Sequence, residues 1–128
     1  MLAGESVFLT GAAGTGKSFV LRYLIQELEA RAPGGGVAVT ATTGIAASHV
    51  QGVTIHSWAG IGLGKGAPQK LVEKVRSNAH AARRWRAAAV LIIDEISMLD
   101  SQLFDTLDAV GRAVRDERVE ELLSLIHI

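Results

Sequence analysis

GAAGTGKS, residues 11–18, puts three glycines, a lysine and a hydroxyl within a single turn of chain. Gly11, Gly14 and Gly16 lack the Cβ that would obstruct an anion, so the backbone can curl with its N–H groups inward. Every fixed position matches G-x-x-x-x-G-K-[ST], which makes the peptide units from Gly11 through Ala12, Ala13, Gly14, Thr15 and Gly16 a phosphate cradle. Lys17 can then reach the β- and γ-phosphates, and the Ser18 hydroxyl can ligate magnesium. A second stretch, VLIIDE at 90–95, is an apolar run that ends in two carboxylates. Asp94 would hold magnesium across from Ser18, and Glu95, one residue on, would polarise the attacking water as general base. Taken alone, either stretch is a glycine turn or a strand running into a solvated loop. Together they define an ATPase core, with Lys17 and Glu95 as its catalytic residues and ATP and magnesium as its ligands.

A third stretch lies between them. TTGIAASHVQGVTIHSW, residues 42–58, is small and polar at first, then brings two histidines and a tryptophan close together. Thr42, Thr43 and Gly44 offer hydroxyls and helix-start N–H groups, which suit a phosphate diester. Thr54, His56 and Ser57 can donate hydrogen bonds, and Trp58 has a face on which a base can stack. The same residues also admit a plainer reading, with Trp58 a core aromatic and His56 a partly buried, satisfied side chain.

These groups need elements to hold them. SVFLT (6–10) reads as a buried strand, and the helix that follows puts Val20, Leu21, Leu24, Ile25 and Leu28 inward, with Arg22, Gln26 and Glu29 opposite. PGGG (33–36) stops it. VAVTA (37–41) is a second strand, and TGIAASHV opens a short helix. AGIGLGKGAP (59–68) is a glycine-rich loop, followed by a basic helix or helix pair over roughly 69–86 and a third buried strand, AAVLIID (88–94). SQLFDTLDAVGRAV (101–114) is a helix with Leu103, Leu107, Val110 and Val114 inward. Strands alternating with helices predict an α/β domain around a mostly parallel sheet. In such a sheet ligands bind outside the carboxyl ends of the strands, so the loop after VAVTA shares an edge with the phosphate cradle.

At 128 residues the chain is long enough for one domain with a core, and 48% apolar content argues against disorder. No cysteine is present, which excludes a disulfide framework and a thiolate zinc site. The longest apolar runs fall far short of a membrane span, and MLAGESVFLTG lacks the basic start and apolar stretch of a secretory signal. Net charge is zero but unevenly spread. Residues 59–93 hold seven basic side chains (Lys65, Lys70, Lys74, Arg76, Arg83, Arg84, Arg86) against Glu73, while residues 94–121 hold nine acids against Arg112, Arg115 and Arg118. A basic segment can track phosphates and an acidic one can gather metal, but solvated helix faces are the commoner use of such runs.

FLTGAAGTGKS, TATTGIAA, TIHSWAGIGLG and LIIDEISMLDSQLFDTLDAVGRAVR, in this order, resemble the Pif (petite integration frequency) family of DNA helicases, in superfamily one. The resemblance covers about residues 4–115. It implies a P-loop NTPase of the RecA-like kind, a three-layer fold with helices on both faces of a parallel sheet. It implies ATP-dependent unwinding with five-prime to three-prime travel, in DNA repair, recombination and telomere maintenance, in nucleus or mitochondrion. It also makes the first segment the ATP-phosphate site and the fourth the carrier of magnesium and the catalytic glutamate. The second and third would touch single-stranded or forked DNA, with Thr42, Thr43, Gly44, His56 and Trp58 as contacts. No membrane partner is implied.

The departures are specific. The family's adenine-recognition segment precedes the first strand, and this chain starts too late for it. Residues 116–128, DERVEELLSLIHI, do not resemble the family's next strand and its γ-phosphate sensor; ELLSLIHI reads either as a terminal strand or helix or as non-native sequence, and the second is the expectation. The second motor domain and its arginine finger are missing too. The expectation is therefore an inactive helicase fragment. The alternatives are another superfamily-one motor, such as a recombination exonuclease subunit or a conjugative relaxase, and an inert nucleotide-binding or interaction module.

Overall fold

The computed structural model describes residues 7–8, 17–31, 36–115 and 124–127. Alternation along two central strands sets the layers. In β4 (Val90–Asp94), all five residues are buried, as a strand covered on both faces must be. Val90 and Ile92 pack to one side against Leu21 and Leu28 of helix α1 (Lys17–Arg31), with Val37 and Val39 of β2 (Val37–Ala41) beside them. Leu91 and Ile93 face the other side, where Ala38 joins the larger core. That core is built by α3 (Ile55–Ala59), α4 (Pro68–Ser77), α5 (Ala79–Ala87) and α6 (Ser101–Val114). Period-two strands between period-3.6 helices thus give three layers.

The sheet runs β1-β5-β4-β2-β3, and every pairing is parallel. β1 (Val7–Phe8) and β3 (Val53–Thr54) form its edges. β5 (Ser124–His127) lies between β1 and β4, with Ile126 opposite both Val7 and Ile92. Residues set apart from the domain by sequence therefore supply an inner strand. Residues 116–123 and 128 lie outside the described residues.

Several sequence expectations need correction. Val20 is 43% exposed, because the buried stripe of α1 runs through Leu21, Leu24, Ile25 and Leu28 and leaves Val20 on its flank. The stretch before the glycine loop holds two further elements, β3 and α3, each too short to show a period. Of the two forms expected for the basic region the helix pair is present, broken at Asn78, whose side chain accepts from the N–H groups of His80 and Ala81 and so starts α5. Gly60 ends α3 at φ +76°, a left-handed position that a side chain resists, and a Cβ there would lie 2.6 Å from that of Ala81. Of the α6 set, Leu107, Val110 and Val114 are buried, and Leu103 packs at the margin of the core.

Candidate functional site

Register brings the site together. Asp94 ends β4 opposite Ala41, the last residue of β2, and Ala41 in turn lies opposite Thr54, the last residue of β3. Three chain segments that sequence singled out therefore leave the sheet side by side, at steps of about 4.8 Å. β1 runs parallel to β4 two positions away, a separation of roughly 10 Å. Gly11, Ala12, Ala13, Gly14, Thr15 and Gly16 lie outside the described residues. Lys17 and Ser18 are the first two residues of α1.

Asp94 is 9% exposed, and its Oδ1 accepts from the Glu95 N–H at 2.9 Å. Glu95 is exposed and has φ 59° and ψ 44°, a left-handed conformation uncommon for a residue with a side chain and costing roughly 1–2 kcal/mol. A 3₁₀ turn, Ile96–Met98, follows. Among the described residues no three of His, Asp and Glu gather into a metal cage. A magnesium ion that also takes oxygens from a nucleotide's phosphates would not require such a cage, and Asp94 stands at the end of β4.

The proposed strand contacts divide into two groups. Thr43 caps α2 (Gly44–His49), its Oγ1 accepting from the Ala46 N–H at 3.1 Å. Gly44 is exposed with open space around it. His56 is half-buried in the first turn of α3, which Thr54 caps through the Ser57 N–H at 3.3 Å. Thr42 instead turns inward, and its hydroxyl donates to the Glu95 carbonyl at 2.9 Å.

Trp58 corrects the expectation of a stacking face. It is 7% exposed and tilts against Trp85, with ring centroids 4.7 Å apart. A ring held in the core by another aromatic has no free face for a base. Sequence reasoning missed Trp85 altogether, because RRWRA looks like a basic surface. The signal was there: Ala81, Ala82 and Trp85 share one helical stripe, and all three are buried. The Trp85 indole N–H donates to the Ala59 carbonyl at 3.0 Å, so the tryptophan pair fixes α3 beneath His56. Thr40 was missed too. It is fully buried and donates to the Ile92 carbonyl at 2.7 Å, a second hydroxyl staple between β2 and β4.

The basic segment does less for a ligand than its charge suggests. Arg84 donates to the carbonyls of Trp58 at 2.8 Å and Ser57 at 3.2 Å. Arg76 and Arg86 reach the carbonyls of Ala113 and Val114 at the end of α6. Arg115 reciprocates on those of Trp85 and Ala88 around the end of α5. These are cations on carbonyls at or just beyond helix C-terminal ends, where backbone acceptors lack their full set of helical partners.

A parallel sheet with helices on both faces and an acid closing β4 are those of a P-loop NTPase domain of the RecA-like kind, the fold of the solved structures that this chain matches. The PIF1-like helicase family model matches residues 1–123, and the chain belongs to that family. It is 52% identical over 112 residues to ATP-dependent DNA helicase PIF1 of Saccharomyces cerevisiae, covering 88% of this chain and 13% of the relative. To the protein of that name in Candida albicans it is 50% identical over 115 residues, covering 90% of this chain and 13% of the relative. The crystal structure of Pif1 helicase from Candida albicans superposes with a TM-score of 0.91 at 46% identity, over 98% of this chain and 29% of that one. Bacteroides sp Pif1 matches at 33% identity both in complex with ADP-AlF4 (TM-score 0.75, 97% of this chain and 28% of that one) and bound to ssDNA (0.74, 98% and 28%). The chain thus spans about an eighth of the length of those curated relatives.

Proposed function

We propose that this chain is the nucleotide-binding part of an ATP-dependent DNA helicase, with its phosphate site and its grip on a single strand on one sheet edge. The register that sets Thr54, Ala41 and Asp94 side by side carries this reading, since it puts the Thr43–Gly44 and His56 segments next to the acids. Names of the relatives and of the nucleotide and ssDNA complexes agree with it. Lys17 binds the β/γ-phosphates; Ser18 and Asp94 are the residues that would hold magnesium, which would supply charge neutralisation at the transferred phosphoryl group. Glu95 takes a proton from the attacking water. Thr43, Gly44 and His56 hold the strand from the adjacent loops. Family likeness supports the finer reading as well: five-prime to three-prime travel on single-stranded and forked DNA, in repair, recombination and genome maintenance.

In related phosphoryl-transfer systems an arginine from outside the phosphate-loop domain contributes roughly 10³–10⁵ in rate. Efficient turnover is accordingly expected of a longer protein containing this domain, and weak magnesium-nucleotide binding of the chain by itself. A full-length protein should unwind a forked duplex with ATP and magnesium, and its Lys17→Ala variant should not. Unwinding by that variant at the parental rate would show the site to be misassigned.

A further inference from the structure

We infer that Thr42 is a positioning residue for Glu95, and that it links the strand-gripping loop to the hydrolytic site. The inference deepens the proposed function and rests on its reading of Glu95 as the base. Three contacts pin the Glu95 backbone. Its N–H donates to Asp94 Oδ1, and its carbonyl accepts from the Met98 N–H at 3.1 Å and from Thr42 Oγ1 at 2.9 Å. Thr42 is anchored in its turn, its own N–H donating to the Asp94 carbonyl at 3.2 Å.

Of these contacts only the Thr42 hydroxyl comes from another segment of the chain, 53 residues away. The left-handed conformation at Glu95 is one that a non-glycine residue keeps only where its surroundings hold it. Among the described residues, the Glu95 carboxylate makes no hydrogen bond or ion pair of its own. Its aim is therefore set by the backbone, and that backbone is held from across the sheet by Thr42. The next two residues, Thr43 and Gly44, are those proposed to meet a phosphate of the strand. A phosphate seated there acts one peptide from the group that orients the base, so strand binding and hydrolysis share one hydrogen bond.

The test compares the parent with Thr42→Val, which keeps the shape and loses the hydroxyl, and Thr42→Ser, which restores it. Thr42→Ala takes the place of the valine variant if that variant fails to fold. In the full chain, the Cα and Cβ chemical shifts of Glu95 report its backbone region. They should leave the left-handed pattern in Thr42→Val and keep it in Thr42→Ser, with the signals of Ile92 and Trp85 unmoved. In the full-length protein, Thr42→Val should lower kcat for strand-stimulated ATP hydrolysis by roughly tenfold to a hundredfold with KM for ATP unchanged, and Thr42→Ser should recover it. A left-handed Glu95 in the valine variant, or an equal loss of kcat in both variants, overturns the inference. Glu95→Gln is run alongside. If it hydrolyses ATP at the parental rate, the base has been misread and the chemical shifts alone decide the role of Thr42.

Discussion

The rim at the carboxyl ends of β2 and β4 carries few charges, whereas the helical layer of α4, α5 and α6 carries many, and the two use them differently. On the rim, Asp94 and Glu95 stand among threonines whose hydroxyls bind backbone: Thr40 to Ile92, Thr42 to Glu95 and Thr43 to Ala46. In the helical layer, Arg76, Arg84, Arg86 and Arg115 are turned onto carbonyls. Four arginines of the charge-rich region are thus scaffold, and the charge-poor one adjoins the proposed chemistry. Charge density along a sequence reports solvation and capping as readily as binding, so a site has to be argued from what each group faces.

The sharpest way to break this contrast is at Glu95. Glu95→Gln in the full-length protein should cut ATP hydrolysis by about 10²–10⁴-fold while nucleotide still binds, measured by single-turnover hydrolysis beside a titration. Undiminished hydrolysis would move the chemistry off the rim. In the helical layer the largest effect should be on stability. Trp85→Ala should cost about 3–5 kcal/mol in urea unfolding, because it empties a fully packed site facing Trp58 and Gly111. A loss under 1 kcal/mol would show that the tryptophan pair is not what fixes α3.

Arg84→Met keeps the aliphatic stem and removes two bonds to carbonyls, for a cost of about 1 kcal/mol after allowing for its partial exposure. Its affinity for single-stranded DNA should not change. Weaker DNA binding with unaltered stability would mean that the helical arginines serve the ligand after all. The smallest effect belongs to Arg112, whose bond to Asp108 at 3.1 Å is exposed on one helix face. Arg112→Ala should shift stability by no more than about 0.5 kcal/mol, a change that a thermal melt will barely register.

How far the sequence could be read follows the same division. The acids closing β4 were legible because a buried apolar run that ends in two carboxylates leaves few alternatives, whereas the phosphate cradle, read from fixed spacing, lies outside the described residues. β2 and β4 were legible as short apolar runs, and α6 through its period. β3 and α3 were not, since two residues of strand and five of helix hold too little pattern to read. Trp58 and Trp85 show why aromatic residues mislead: one was expected outside and the other was overlooked, yet they pack on each other. Whether a tryptophan meets a base or a neighbour is settled by tertiary contacts, which a linear sequence does not display. β5 shows the converse, as SLIH looked foreign by motif but fills an inner strand of the sheet. The Thr42–Glu95 bond joins residues 53 positions apart, and only the register of β2 on β4 makes it visible.

Nucleotide binding by the chain itself tests the central claim most directly, because it depends on the sheet edge alone. The 128-residue chain is titrated with a fluorescent ATP analogue and magnesium, and its Lys17→Ala variant is titrated under the same conditions. Weak, saturable, magnesium-dependent binding that the variant loses is the predicted result. Absence of saturable binding, or equal binding by the variant, would contradict the assignment of this edge as an ATP site.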